Sequence, residues 1–331
     1  MSETHRQVVL ARYPEGVPVE GDFEIVEAAA PPLAEGEVRY RTEFLSLDPY
    51  MRSQIAGRHL SGAVGPGDVM RGESVGIVTE SRHPAFTPGQ RVRGMGGWRE
   101  VATVPGDALA KVRADLEPPS YALSLLGMTG LTAWAGMVWQ AKVGEGDRVL
   151  IPAVTGGVGA AAAQFCRLKG ATVVGIAGSA EKCRFAVEEL GCEACIDRKA
   201  EDVGERLGEL FPDGIDVYFD LVGGSLLTEA SARLAIGARV VLCGLMAEYN
   251  HPERAAGPPP GFWIRARATV TGLVVYDYEA RRDEFIEAVL AHVTFGDLRQ
   301  REDVAEGIGE APAAFCRLMR GENFGKVVVR M

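Results

Sequence analysis

The sequence predicts an α/β protein: a doubly wound parallel sheet over residues 119–299, joined to a smaller β-rich domain made from residues 1–118 and 300–331. Three observations predict it. From Leu116 onward, short apolar runs alternate with helix-like segments of about a dozen residues, the pattern of a parallel sheet with crossover helices. One apolar run passes without a break into a glycine-rich turn and a helix start. The first hundred or so residues have another texture, short apolar stretches punctuated by Gly and Pro, which reads as compact β structure.

In the first domain the candidate strands are Gln7 to Leu10, Gly36 to Leu47, Gly76 to Val78, Arg91 to Gly94 and Arg99 to Val104. Ser120 to Gln140 then reads as helical. The strands of the second domain are Arg148 to Pro152, Thr172 to Ile176, Ala194 to Asp197, Asp216 to Asp220, Arg239 to Leu242 and Thr269 to Val275. Several are continuous apolar runs, as a sheet covered on both faces requires. Val158 to Leu168 and Glu181 to Leu190 read as helices stopped by Gly170 and Gly191, residues suited to the left-handed conformation. Asp283 to Val293 carries apolar residues at 285, 286, 289, 290 and 293, one face of a helix. Pro258, Pro259 and Pro260 exclude a continuing helix or a central strand, so Asn250 to Gly261 is expected to be an ordered loop. Lys326 to Arg330 is expected to be a terminal strand that returns to the first domain.

A chain of 331 residues suffices for two domains that each bury a core. Hydrophobic residues make up 47% and charged residues 24%, the composition of a soluble globular protein. The formal charge of -10 argues against nucleic acid and anionic membranes as partners, because both need clustered Lys and Arg. No stretch of about 18 apolar residues crosses a bilayer, and Met1 to Arg12 lacks a signal peptide's apolar centre, so the cytoplasm is the expected location. The six cysteines, at 166, 183, 192, 195, 243 and 316, are dispersed and expected to be reduced. Cys192 and Cys195 form a CxxC pair, but no second CxxC or HxxxH completes a zinc set, so the pair reads as a helix-to-strand turn.

The segment richest in chemistry is Val149-Leu150-Ile151-Pro152-Ala153-Val154-Thr155-Gly156-Gly157-Val158-Gly159-Ala160. It holds a buried strand, a glycine-rich turn and a helix start in succession. Gly156 and Gly157 let backbone approach a pyrophosphate, Gly159 and the alanines behind it let the helix lie close to the sheet, and the helix start offers free N–H groups and partial positive charge. The pattern is AxxGGxG, and its βαβ setting points to a dinucleotide. An NAD site would place Asp or Glu at the end of the second strand. Here the chain reads Ala177-Gly178-Ser179-Ala180-Glu181-Lys182, and the third strand ends at Asp197-Arg198-Lys199. Gly178, Ser179, Lys182 and Arg198 therefore suit a 2′-phosphate, with Glu181 expected one turn into the helix, and NADPH is the expected cofactor.

Five runs carry a family resemblance: Leu45-Ser46-Leu47-Asp48-Pro49-Tyr50-Met51-Arg52, Gly127-Met128-Thr129-Gly130-Leu131-Thr132-Ala133, Phe219-Asp220-Leu221-Val222-Gly223-Gly224, Gly257-Pro258-Pro259-Pro260 and Gly321-Glu322-Asn323-Phe324-Gly325-Lys326. In this order, over nearly the whole chain, they resemble the prostaglandin reductase group of the medium-chain dehydrogenase/reductase superfamily, with its plant alkenal double-bond reductases and bacterial curcumin reductase-like proteins. The resemblance implies a GroES-like substrate domain from both chain ends, a central Rossmann domain and a homodimer. It implies cofactor contacts at Met128, Thr132, Gly156, Gly157, Val158, Gly159, Lys182, Cys243, Gly244 and on to Tyr249, then Leu273, Val274, Val275 and Asn323. Two positions depart from the group's pattern: a tyrosine near the 2′-phosphate is replaced by Arg198, and an asparagine by Leu221. No zinc ligand set is expected. Cysteine is absent before Cys166, and His59 and His83 stand among turn residues without partners.

The activity so implied is conjugate reduction of α,β-unsaturated ketones or aldehydes. Tyr50 and Tyr249 match two tyrosines that line the group's substrate cleft, with a core residue at a strand end as the alternative for Tyr50, and Arg52 is either a further substrate contact or a surface charge. Tyr249 is the preferred donor to the enolate, with the cofactor ribose hydroxyl as competitor and a purely steric wall as the alternative. Trp98 and Trp263 either line an apolar pocket or fill the core. The rival readings are an NADPH-dependent quinone reductase of the same superfamily and a protein that binds NADPH without turnover.

Overall fold

The computed structural model describes residues 4–251 and 256–331. Its first segment contains β1 (Thr4–Leu10), β2 (Phe23–Ala29), β3 (Glu37–Ser46), the one-turn helix α1 (Met51–Gln54), β4 (Ser74–Ser81), β5 (Arg91–Gly94), β6 (Val101–Pro105) and β7 (Ala110–Lys111). The middle holds α2 (Met128–Trp134), β8 (Arg148–Pro152), α3 (Gly157–Leu168), β9 (Thr172–Ala177), α4 (Ala180–Glu188), β10 (Ala194–Asp197), α5 (Val203–Leu210), β11 (Ile215–Asp220), α6 (Gly224–Ser231), β12 (Leu234–Leu242), α7 (Pro260–Ala266), β13 (Thr269–Gly272) and α8 (Arg282–Thr294). The chain closes with β14 (Glu302–Glu306), α9 (Ala311–Met319) and β15 (Lys326–Arg330). Two compact units result, Met1–Leu123 with Arg301–Met331, and Ser124–Gln300. Among the described residues no helix is long and apolar enough to cross a membrane.

The second unit is an α/β sheet of six parallel strands in the order β10-β9-β8-β11-β12-β13. The strand order reverses between β8 and β11, the kind of switch point beside which nucleotides bind in such sheets. Val149, Leu150 and Ile151 in β8 and Val217, Tyr218 and Phe219 in β11 are fully buried, which explains why both strands are continuous apolar runs. Gly170 (φ 81°) and Gly191 (φ 72°) take the left-handed conformation just beyond α3 and α4. Trp263, partly buried, packs against the edge of this core, and its Nε1 donates to Ser231 Oγ at 3.2 Å.

Several expected elements differ from the observed ones. Ser120 to Gln140 is not one helix but a 3-10 turn at Pro119–Leu123, then α2, then a π-helical turn at Ala135–Gln140. A Cβ on Gly130 would lie 2.0 Å from the Leu125 carbonyl oxygen, so the chain enters α2 by a tight crossing instead of a continuous helix. β12 begins at Leu234, five residues early, through a register shift opposite Ile215 and Val217. β13 stops at Gly272 because Val275–Arg281 turns into a 3-10 helix. Of the loop expected from Asn250 to Gly261, residues 252–255 lie outside the described residues, and Pro260 and Gly261 already belong to α7. Proline is tolerated there because a first-turn N–H has no partner inside the helix.

The first unit pairs β1 with β2 and builds a seven-stranded sheet in the order β14-β15-β3-β4-β5-β7, with β6 also on β3. β15 lies between β14, to which it is parallel, and β3, to which it is antiparallel. Trp98, fully buried, stacks on Phe23 with centroids 5.8 Å apart and meets Phe315 of α9 edge-on at 5.6 Å, so it fills the core.

Candidate functional site

Seven of the expected cofactor residues, Gly156 to Gly159 after β8 and Gly178, Ser179 and Lys182 after β9, follow the carboxyl ends of those strands. β8 ends at Pro152, Ala153 takes a positive φ of 50°, and Gly156 is the N-cap residue of α3. A Cβ on Gly159 would stand 2.3 Å from the Ala153 carbonyl oxygen and 2.8 Å from Val154 Cα. Glycine there is a condition of the turn closing on the helix, while Ala160 through Ala163 let α3 sit buried against the sheet. The result is an amide-rich helix start at the switch point, with Gly156, Gly157, Val158 and Gly159 forming its mouth.

Beside it, β9 and β10 end in register, Ala177 opposite Asp197. Arg198 N donates to Ala177 O at 3.1 Å. A Cβ on Gly178 would meet the Arg198 guanidinium and Lys199 Cε, each at 3.7 Å, so both cations flank that residue. Ser179 caps α4 by accepting from Lys182 N. Gly178, Ser179 and Arg198 thus lie together, Lys182 is the third residue of the helix that Ser179 caps, and the end of β9 carries no carboxylate. Glu181 is a correction: it is the second residue of α4 and lies in the first turn, exposed, because Ser179 starts the helix one residue earlier than expected. The Asp197 carboxylate accepts from Lys199 N at 3.0 Å and so is committed to its own turn. This donor set fits a phosphorylated ribose.

A third group sits at the carboxyl ends of β11, β12 and β13. Cys243 N and Gly244 N both donate to Asp220 O, at 2.9 and 3.1 Å, and Leu273 N donates to Leu242 O at 2.9 Å. Asp220 itself, fully buried, was not anticipated. Its Oδ1 accepts from Tyr218 Oη at 3.0 Å, Val222 N at 3.0 Å and Gly223 N at 2.9 Å, which holds the Leu221–Gly224 turn in place. Burial pushes its carboxyl above the ordinary aspartate range against those three donors. Its only sequence signal was the Phe-Asp-Leu-Val-Gly-Gly run. Tyr249 follows the 3-10 turn Met246–Glu248, and its hydroxyl would be 3.7 Å from a Cβ on Gly244. Burial raises the Tyr249 phenol above its usual value, opposed by a hydrogen bond from the Leu245 backbone. Burial also pushes the Cys243 thiol up to about 12, so it stays protonated. On α2, Thr132 Oγ1 donates to Met128 O at 2.7 Å.

In the first unit, Tyr50 begins α1 and its ring tilts over His59 with centroids 4.9 Å apart. Arg52 is no surface charge. It is 5% exposed, its Nη2 donates to Gly16 O at 2.9 Å, and its Nε has no hydrogen-bond partner among the described residues. Sequence reasoning also missed what fixes this turn. Lys326 Nζ, buried, donates to Leu47 O at 2.7 Å and to Asp48 Oδ1 at 2.9 Å, two residues before Tyr50. Asn323 Nδ2 donates to Gly325 O at 2.8 Å within the preceding segment. His59 Nδ1 lies 2.7 Å from Ser61 Oγ, and His83 Nε2 lies 3.0 Å from Asp107 Oδ1. Among the described residues no three of His, Cys, Asp and Glu group in a way that could hold a metal ion.

Residues 6–112 match the family described as the N-terminal domain of oxidoreductase, and residues 157–293 the family described as zinc-binding dehydrogenase. The chain is 38% identical to the NADPH-dependent curcumin reductase of Escherichia coli, over 99% of this chain and 97% of that one. It is 34% identical to the NADP-dependent 2-alkenal reductase of Nicotiana tabacum, over 98% and 97%. The crystal structure of Vibrio vulnificus CurA in complex with NADPH superposes with a TM-score of 0.93 at 37% identity, covering 98% of this chain and 99% of that one.

Proposed function

The chain belongs to the medium-chain dehydrogenase/reductase superfamily, in the branch that holds the curcumin, 2-alkenal and prostaglandin reductases, and on that premise we propose how its own residues reduce an enone. It is an NADPH-dependent oxidoreductase of the carbon–carbon double bond in α,β-unsaturated ketones and aldehydes. Bound NADPH supplies the hydride that the β-carbon accepts. The glycine mouth of α3 holds the diphosphate, and Ser179, Lys182 and Arg198 hold the 2′-phosphate. Met128, Thr132, Cys243, Gly244, Leu273, Val274 and Val275 of the second unit complete its cofactor contacts. The single observation that carries this reading is the placement of Arg198 against Gly178 beside the Ser179 cap of α4, with no carboxylate ending β9.

Tyr249 donates a hydrogen bond to the substrate carbonyl oxygen, where negative charge develops as the double bond is reduced. For the first unit, Tyr50 and Arg52 are the proposed substrate-binding residues. The donor set of the described residues fits a reaction without zinc, in which hydrogen bonding polarises the carbonyl. A cytoplasmic setting accords with six free cysteines, and a homodimer with β10 and β13 as the edge strands of the sheet among the described residues.

Following NADPH oxidation with an enone, with a quinone and with buffer tests the reading. Consumption with the enone is expected, with kcat/KM favouring NADPH over NADH by about a hundredfold, as two charge-assisted hydrogen bonds to a phosphate supply. Consumption with the quinone alone would make the protein a quinone reductase, and none with either substrate would make it a binding protein.

A further inference from the structure

Two cysteines lie outside every role assigned above. Cys183 is the fourth residue of α4 and Cys195 the second of β10, elements packed against one another at the edge of the six-stranded sheet. Their sulfurs are 3.1 Å apart, with the Cys195 thiol donating to Cys183 Sγ, and both side chains are partly exposed. A disulfide joins sulfurs at about 2.05 Å, so the thiols need to approach by only about 1 Å. Lys182 immediately precedes Cys183, and Arg198 follows Cys195 by three residues, so the thiols tie together the two segments that present those cations.

We propose that Cys183 and Cys195 form a reversible disulfide when the protein meets a peroxide, and that this bond loosens the grip of Ser179, Lys182 and Arg198 on the 2′-phosphate of NADPH. The second half rests on the reading of those residues as the phosphate site. Cys183 is the attacking sulfur. Burial raises both thiols, but the hydrogen bond from Cys195 opposes the effect at Cys183, and at Cys195 it adds to it. The Cys183 thiolate attacks one peroxide oxygen, the O–O bond breaks, and the departing hydroxide is protonated to water, leaving a sulfenic acid. Cys195 sulfur then attacks Cys183 sulfur; the S–S bond forms, the S–O bond breaks, and a second water leaves with the Cys195 proton. Two thiols lose two electrons and two protons, and the peroxide takes up both. A thiol reductant reverses the reaction by exchange. Drawing α4 onto β10 displaces the Ser179–Lys182 turn, and charge-assisted hydrogen bonds are short enough for a shift of this size to weaken them.

The test treats the purified full chain with hydrogen peroxide, maps its peptides without reductant, and titrates NADPH and NADH by fluorescence before and after, alongside Cys183→Ser and Cys195→Ser. A linked Cys183–Cys195 peptide that dithiothreitol dissolves is expected. With it, the NADPH Kd rises about threefold or more while the NADH Kd holds, because NADH lacks the phosphate these groups bind, and neither variant responds. Absence of the linked peptide, or linkage to Cys192 instead, overturns the disulfide. Linkage with an unchanged NADPH Kd overturns its coupling to the cofactor. A reduced Lys182→Met/Arg198→Met protein with wild-type NADPH affinity would instead remove the phosphate reading, while the mapping result would stand on its own.

Discussion

For Tyr249 the protonation state of one oxygen decides what the side chain can do. Burial raises its phenol above the ordinary value, so across neutral pH the group is protonated and able to donate. Replacing Tyr249 with Phe is expected to lower kcat for an enone about tenfold to a hundredfold at saturating NADPH, less than a sole oxyanion donor commands because the cofactor ribose hydroxyl remains. The NADPH Kd should hold, because the phenylalanine ring keeps the cofactor contact expected at this position. The wild-type kcat should stay level through neutral pH and decline only above the ordinary phenol range, near about pH 10. Unchanged turnover in Tyr249→Phe would leave the side chain as a wall of the site. Tyr249 was legible only through resemblance, since a lone tyrosine in a loop has no local pattern. The burial of Arg52 was not legible at all. Its environment is set by Gly16, thirty-six residues away in sequence, and no periodicity reports such a contact.

The phosphate-binding turn is the element whose geometry leaves least freedom. Gly159→Ala would drive its Cβ into the Ala153 carbonyl oxygen and Val154 Cα, both backbone atoms that cannot swing aside. We expect a stability loss of about 1–3 kcal/mol, the usual cost of overpacking, and NADPH affinity at least about tenfold weaker. Gly156→Ala, whose Cβ would stand 3.2 Å from Ala153 O, should be milder on both measures. Denaturant unfolding and NADPH titration of the two variants check the ordering, and equal behaviour would show that the turn is more plastic than its contacts imply. The turn was readable in advance because strand, glycines and helix start are contiguous. β8, β9 and β11 were readable because a doubly covered strand is a continuous apolar run. β14, Glu-Asp-Val-Ala-Glu, was not: an edge strand with one buried side chain, Ala305, has neither run nor alternation. The break before α2 was hidden as well, since it comes with the close approach of Gly130 to the Leu125 carbonyl and not from residue propensities.

Across the whole molecule, the ends of the chain are joined by a buried ion pair. Asp48 and Lys326 lie 278 residues apart in sequence and at 3% and 5% side-chain exposure for Lys326 and Asp48, with Ser46 Oγ donating to the second carboxylate oxygen. Loop closure over such a distance costs entropy that grows only with the logarithm of length, and the folded second unit shortens the effective loop further. The pair is a poor source of net stability, because desolvating two charges offsets most of their attraction, yet removing one partner strands the other in the interior. Lys326→Met should therefore cost about 3–5 kcal/mol, and Asp48→Leu in the same background should restore much of it. Denaturant midpoints of the single and double variants decide the matter. Recovery would show that the charges specify how β15 enters the sheet beside β3, while a double variant no better than the single would mean that the hydrogen bonds from Lys326 to the Leu47 and Val327 carbonyls carry the closure.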